Sequence, residues 1–241
     1  RNISDLELSF RAMSSLNGLD PWQVITSYTP PQYEKKAALT IAPDGLDVSN
    51  EVVNELNSAA EKLRDCGWTV EETDCPPIRQ AADINAFLWL ADSQHAQSEL
   101  IETEAEPNSK FVFEQMSKIS GQVSFANIMD ALQIRVGLMR QWDLFLREYS
   151  VLICPISANL PFEQQQDVLS VSSFAKIYES QLTQRALPVL GVPVLAVATG
   201  KIKGVPIGVQ LVGARYREDI VLQAGIDLEK NIPKIEICEP D

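Results

Sequence analysis

The residues that could do chemistry are few, and most of them stand in unpromising company. The single histidine, His95, is the one imidazole open to general-base work. Its neighbours Asp92, Gln94, Gln97 and Glu99 give it the setting of a solvated helix surface. No GxSxG elbow accompanies it, so a Ser-His-Asp hydrolase finds no nucleophile context, and one histidine also removes most metal sites. Carboxylate pairs occur at Glu71-Glu72, at Glu102 with Glu104 and at Glu218-Asp219. Paired acids can cleave glycosides when burial raises the pKa of one of them. In a chain with 33 acids such neighbours arise by chance, and these lie at strand ends, in loops or at a helix start. Glu218 and Asp219 suit a helix N-terminus, where the macrodipole stabilises negative charge. The four cysteines, Cys66, Cys75, Cys154 and Cys238, show no CxxC spacing, which favours reduced thiols over a disulfide framework or a zinc site. Gly191, Gly200, Gly204, Gly208 and Gly213 fit no phosphate-cradling motif, and turn or close-packing roles suffice for them.

Composition bounds what these residues could serve. At 241 residues the chain is one large domain or a domain with an elaborate flank, and its 45% hydrophobic content can bury a sizeable core. A net charge of -13 repels phosphate backbones and anionic lipid heads, and no local basic patch offsets it, so neither nucleic acid nor a membrane surface is expected as a partner. No apolar run approaches the roughly 20 residues of a membrane span, and Arg1-Asn2-Ile3-Ser4-Asp5 lacks a signal peptide's apolar core, so a cytoplasmic protein is expected. A first residue that is Arg, opening almost directly into a helix, reads as the start of a fragment.

The elements that must position any site follow from periodicity. Ser4-Asp5-Leu6-Glu7 has the capping-box form, and Leu6, Phe10, Met13 and Leu16 predict a helix with one buried face, ending near Asn17-Gly18. Residues 17–36 read as an extended connection with Asp20-Pro21 and Pro30-Pro31. A βαβ unit follows: an apolar run over residues 37–42, a turn at Pro43-Asp44-Gly45, a helix capped by Ser49 and carrying Val52, Val53, Leu56, Ala59, Ala60 and Leu63, a stop at Gly67, and a strand over residues 68–72. Right-handed crossover makes those strands parallel. Residues 78–101 read as mostly helical. Residues 127–148 read as a long helix with apolar residues at Ile128, Leu132, Val136, Met139, Trp142 and Phe145, and the stretch between, with Pro107 and Gly121, as less regular. Val151-Leu152-Ile153-Cys154 has the unbroken apolarity of a strand buried on both faces. The loop after it, residues 155–167, lies where α/β sheets place ligands. Strands over residues 192–198 and 207–212, joined by Gly200-Lys201-Ile202-Lys203-Gly204, predict an antiparallel hairpin. A helix over residues 218–230 and a peripheral tail complete the chain. The fold class is therefore α/β, a mixed β-sheet covered by helices on both faces.

Three segments carry a resemblance. Residues 187–200 read Leu-Pro-Val-Leu-Gly-Val-Pro-Val-Leu-Ala-Val-Ala-Thr-Gly, residues 204–213 read Gly-Val-Pro-Ile-Gly-Val-Gln-Leu-Val-Gly, and Arg217-Glu218-Asp219 follows. Together they resemble the carboxy-terminal third of the amidase signature family. Arg1-Asn2-Ile3-Ser4-Asp5-Leu6, Asp20-Pro21-Trp22 and Val151-Leu152-Ile153-Cys154-Pro155 are similar to earlier parts of the same family, so the resemblance runs over nearly the whole chain.

What the resemblance implies is a carboxamide hydrolase in which a serine attacks the amide carbon, activated through a cis-serine by a lysine, with backbone amides holding the oxyanion. In the family those residues lie upstream of the position matched by Arg1. No Gly-Gly-Ser-Ser run occurs here, and Ser14-Ser15 and Ser172-Ser173 read as helix-end or turn polarity. No catalytic residue is therefore assigned, all 241 residues are expected to form the carboxy-terminal portion of one amidase domain, and the chain alone is expected to be inactive. Pro188 stands where many members have Asn, and Ala198 where many have Pro. At Gln181 the transfer-RNA amidotransferase members usually have Asp, which favours a stand-alone amidase. Candidate wall residues of the acyl pocket are Trp142, Phe162, Phe174, Tyr178 and Gln181, which are large or polar and lie near the strand-end loop or the helix after it. The resemblance implies no metal or organic cofactor. The expected partners are a small-molecule amide and the amino-terminal half of the same enzyme, with a homo-oligomer left open. The alternative is a non-catalytic binding or assembly module with an amidase-like fold.

Overall fold

The structure is a computed structural model that describes residues 2–15, 17–21, 23–24, 32–96, 98–104 and 106–233. Arg1, Leu16, Trp22, Pro30-Pro31, Gln97, Cys238 and most of the expected tail lie outside the described residues.

In chain order the elements are α1 (Ile3–Met13), β1 (Lys36–Leu39), α2 (Asn50–Asp65), β2 (Thr69–Glu72), α3 (Arg79–Ala96), α4 (Ser98–Glu104), α5 (Pro107–Ser120), α6 (Phe125–Glu148), β3 (Val151–Pro155), α7 (Val171–Ser180), α8 (Leu182–Leu190), β4 (Val194–Ile202), β5 (Val205–Gly213) and α9 (Glu218–Glu229). The strands form one sheet in the order β2-β1-β3-β5-β4. Pairing is parallel from β2 through β1 to β3 and antiparallel from β3 through β5 to β4. Because side chains alternate across a strand, Ala37, Leu39, Val151 and Ile153 point to one face and Ala38, Leu152 and Cys154 to the other. The first face packs with Leu56 and Leu63 of α2 and Val221, Ala224 and Leu228 of α9. The second packs with Ile84 of α3, Leu138 and Trp142 of α6, and Leu182 and Ala186 of α8. β3 is central and every residue in it is buried, as its unbroken apolar run predicts.

Several local expectations need correction. Helix α1 is capped by Asn2, whose Oδ1 accepts from the Asp5 N–H at 2.7 Å, so Ser4 lies inside the helix rather than before it. Asn caps as well as Ser does, and it starts the helix sooner. Leu6, Phe10 and Met13 are exposed, and α1 buries Ile3 instead. Ser49 stands at the N-cap of α2 with an extended backbone, but its hydroxyl makes no capping bond. The stretch read as irregular around Pro107 is the helix α5. There Pro107 occupies the first turn, where a missing N–H costs nothing, the Glu106 carboxylate accepts from Ser109 N–H, and Gly121 at φ +76° ends it. In α6 the buried line runs through Ala131, Leu138, Trp142 and Leu146, while Leu132 and Val136 face outward. Of the expected face, Trp142 is buried and Met139 and Phe145 pack against the same core, with Ala131, Leu138 and Leu146 completing the buried line. Finally, β4 continues past Gly200, with an irregularity between Ala198 and Gly200, and the hairpin turns on Lys203 and Gly204 alone. Both have positive φ, +51° and +83°, the signature of a two-residue type I′ turn.

Candidate functional site

The carboxyl end of β3 opens into the loop that sequence had singled out, and hydrogen bonds hold that loop on both sides. Ala158 N–H donates to Ser180 O at 2.8 Å and Ser49 N–H to Ala158 O at 2.9 Å. The Thr183 hydroxyl, fully buried, lies 2.8 Å from Pro155 O and 2.9 Å from Ile156 O. The loop is thereby fixed to the junction of α7 and α8, where Gln181 ends one helix and begins the next. Ser170 caps α7 by accepting from Ser173 N–H.

Three adjoining cavities run from this point. The one at the strand end, about 390 Å³, is bounded by Ile156, Ser157, Asn159 and Gly208. It shares Phe162, Gln181 and Gln184 with a second of about 570 Å³, to which Phe174, Tyr178 and Trp89 also contribute. That cavity in turn shares Trp89, Val112, Met116 and Asp167 with a third, about 460 Å³, between α3 and α5. Four residues singled out from sequence, Phe162, Phe174, Tyr178 and Gln181, thus converge on the middle cavity. Trp142 does not. It is fully buried in the core beneath α6, with Phe145 against it edge-on at 6.1 Å. A helix period alone cannot say whether a buried tryptophan faces a ligand or a sheet. Sequence reasoning missed Trp89 and Asp167. Trp89 is 59% exposed on a helix that gives it no distinguishing spacing, and Asp167 comes from a short 3-10 turn inside the loop.

The middle cavity has a built aromatic wall. Phe174 and Tyr178, one helical turn apart, stack at 5.5 Å with 20° between their planes, and the Arg185 guanidinium lies 3.6 Å from the Tyr178 ring centroid. Arg185 is held there by donating from Nε to Tyr178 O at 2.9 Å. Behind the wall, Arg79 grips Glu179 in a two-point ion pair at 2.7 and 3.0 Å, and that bond holds the Glu179 carboxyl below its ordinary range. The Asp44 carboxylate accepts from the N–H groups of Ile78 and Arg79, both at 2.7 Å, which caps α3 and fixes its start. The Tyr178 hydroxyl is buried and has no hydrogen-bond partner among the described residues.

Other candidate groups stay apart from this wall. His95 is exposed near the end of α3. Glu71 lies on β2 with Tyr149 and Lys36 on it at 3.0 and 3.4 Å, Glu102 pairs with Lys110 at 2.8 Å, and Asp219 pairs with Arg217 at 2.9 Å. Burial pushes the Cys75 thiol up to about 12, with the Asp44 charge adding to it, and burial raises Cys154 well above its usual value. Neither is a thiolate nucleophile at neutral pH. Among the described residues no cluster of three His, Cys, Asp or Glu could hold a metal, and no helix is long and apolar enough to cross a membrane.

Comparison with known proteins places this geometry. Indoleacetamide hydrolase of Bradyrhizobium japonicum is 30% identical over 240 residues, 95% of this chain and 50% of the relative. The indoleacetamide hydrolase of Bradyrhizobium diazoefficiens is 29% identical over 239 residues, covering 95% of this chain and 44% of the relative. The chain thus spans about half the length of the curated relatives it matches. Among solved structures, fatty acid amide hydrolase superposes with a TM-score of 0.70 at 21% identity, over 95% of this chain and 46% of that one. The 6-aminohexanoate cyclic dimer hydrolase superposes with a TM-score of 0.72 at 19% identity, over 97% and 54%. These likenesses establish the α/β fold with its mixed sheet, and since the family model described as Amidase matches residues 1–222, the chain belongs to the amidase signature family.

Proposed function

We propose that the chain supplies the carboxy-terminal half of an amidase domain, in which a carboxamide is hydrolysed to a carboxylate and ammonia or an amine. The chemistry is acyl transfer to a serine activated by a cis-serine and a lysine, all three contributed by sequence outside these 241 residues. This half forms the wall around the acyl group. The observation that carries the reading is the convergence of Phe162, Phe174, Tyr178 and Gln181 on one cavity that opens to the carboxyl end of β3. The names of the Bradyrhizobium relatives favour an arylacetamide, and a cavity of about 570 Å³ with aromatic walls suits an aryl group. Gln181, whose amide borders both cavities, is placed to bond a polar edge of the substrate while the rings take its apolar face.

The test is ammonia release from indoleacetamide by the complete protein. Turnover is expected, with kcat/KM about fivefold lower in Phe162→Ala, because one aromatic contact contributes roughly 1 kcal/mol. Phe162 is exposed in the free site, so the variant should fold. The 241 residues alone should release no ammonia above background. His95→Ala should stay within a few-fold, since a general base contributes about 100-fold or more. Absence of turnover with every arylamide offered would sink the amidase reading in favour of a binding module, and an unchanged kcat/KM in Phe162→Ala would remove this wall from the site.

A further inference from the structure

Two groups beyond the Phe174–Tyr178 stack line both the second and the third cavity. The first is the indole of Trp89, which lines both cavities and makes no ring contact and no cation contact among the described residues. The second is the Asp167 carboxylate, which also lines both. It is half-buried, and no hydrogen bond or ion pair reaches its side chain from the described residues. A half-buried carboxylate that lines two cavities and has no partner among the described residues is free to accept a hydrogen bond from a cationic ligand. An indole and a carboxylate that line the same two cavities are the two parts of a recognition pair for an organic cation. The ring attracts positive charge through its quadrupole, and the carboxylate supplies a charge-assisted hydrogen bond.

The cation already in the cavity does not fill this role. Arg185 is held over the opposite group, its guanidinium on the Tyr178 ring and its Nε on the Tyr178 carbonyl, and it makes no ion pair with Asp167. Its charge is answered by Glu179, whose lowered pKa owes most to Arg79 and in smaller part to Arg185. Asp167 has no such answer. The molecule as a whole carries -13, which draws cations toward a cleft and repels anions.

We propose that Trp89 and Asp167 form an ammonium subsite, so that the preferred amide carries a positively charged amine on the far side of its aryl group from the scissile bond. The chemical class is an arylalkyl amide bearing a primary or quaternary ammonium. The proposal rests on the amidase reading for the amide and on the geometry of the two cavities for the cation.

Three probes of one size and different charge test it without any bond to hydrolyse: phenethylammonium, 2-phenylethanol and phenylacetate, each titrated into the complete protein with tryptophan fluorescence and calorimetry as readouts. Phenethylammonium is expected to bind about tenfold tighter than 2-phenylethanol, as one charge-assisted bond in a half-open cleft implies, and phenylacetate weakest. In Asp167→Asn that preference should vanish while 2-phenylethanol binds as before. Trp89→Leu should reduce it several-fold, so the test survives if one variant fails to fold. Equal binding of amine and alcohol, a preference for phenylacetate, or a cation preference that survives Asp167→Asn would each overturn the inference while leaving amide hydrolysis intact. Cation binding in a protein that cleaves no arylamide would instead overturn the amidase reading and keep the subsite.

Discussion

Asp227 is the residue whose charge the fold depends on most visibly. It lies on α9, 3% exposed, and its carboxylate accepts from Lys35 Nζ at 2.8 Å, Lys230 Nζ at 2.9 Å, Trp68 Nε1 at 3.1 Å and Gln223 Nε2 at 3.2 Å. Burial pushes its pKa up, but the bonds from Lys35, Lys230 and Trp68 outweigh burial and bring it to about 2. A carboxyl lowered on folding contributes stability that is complete above its unfolded value near 3.9 and is lost as pH falls from there through about 2. The full contribution is about 2 kcal/mol. Asp227→Asn should therefore lower the urea midpoint strongly at pH 6, and the gap to wild type should close between pH 4 and pH 2. A gap that does not depend on pH would show the ion pairs to be idle. Nothing in the sequence around Trp68 announced this tie, because the two side chains are separated by 159 positions. The candidate wall was legible to a different degree. Phe162, Phe174, Tyr178 and Gln181 were chosen by nearness to a strand-end loop, and chain neighbours near such a loop tend to share its cavity. Trp142 was chosen on the same ground, yet α6 turns it into the sheet. Trp89 and Asp167 required knowledge of how α3 lies against the loop, which no local pattern encodes.

At the scale of elements, the segments whose own periodicity settles their shape were readable: the βαβ unit, the buried β3 and the closing hairpin. Where a boundary residue has two opposite uses, reading failed. Pro107 breaks a helix in its interior and starts one at its first turn, and only the Glu106 cap on Ser109 decides between them. Gly200 and Gly204 both looked like turn residues, yet Gly200 lies within β4, whereas Lys203-Gly204 alone forms the turn. Gly208 has a packing reason that can be tested. A Cβ there would drive into the carbonyl of Val197 on the neighbouring strand, so any side chain must part β5 from β4. Gly208→Val is expected to destabilise by about 3 kcal/mol, the scale of overpacking against backbone that cannot yield. Lys203→Gly, at φ +51°, should be neutral or stabilising by a few tenths of that amount, because glycine accepts positive φ without strain. Chemical denaturation of the two variants separates the readings. A Gly208→Val protein as stable as wild type would mean that the strands can slide apart at no cost.

The whole molecule has two halves of unequal finish. The side of the sheet under α3, α6 and α8 covers β1 and β3, but it leaves Val194, Ala196 and Ala198 on the outer strand β4 exposed, while Leu195 and Val197 on the other face are buried. β4 pairs only with β5 among the described strands, so its far edge is open. Leu6, Phe10 and Met13 leave a second apolar line bare on α1. An open edge beside an apolar face is a template for another strand. The 241 residues expressed alone should therefore self-associate, and the charge gives the association a recognisable sign. At -13 the copies repel one another, so dilute low-salt buffer should favour monomers, and raising salt to about 0.5 M, where the Debye length falls to roughly 4 Å, should strengthen association rather than weaken it. Contacts made by ion pairs would respond in the opposite direction. Sedimentation velocity across protein concentration at low and high salt, with an apolar dye to report exposed surface, distinguishes these cases. A species that stays monomeric at every concentration and salt and binds no dye would mean that β4 and α1 need no cover, and that these residues already form a finished domain.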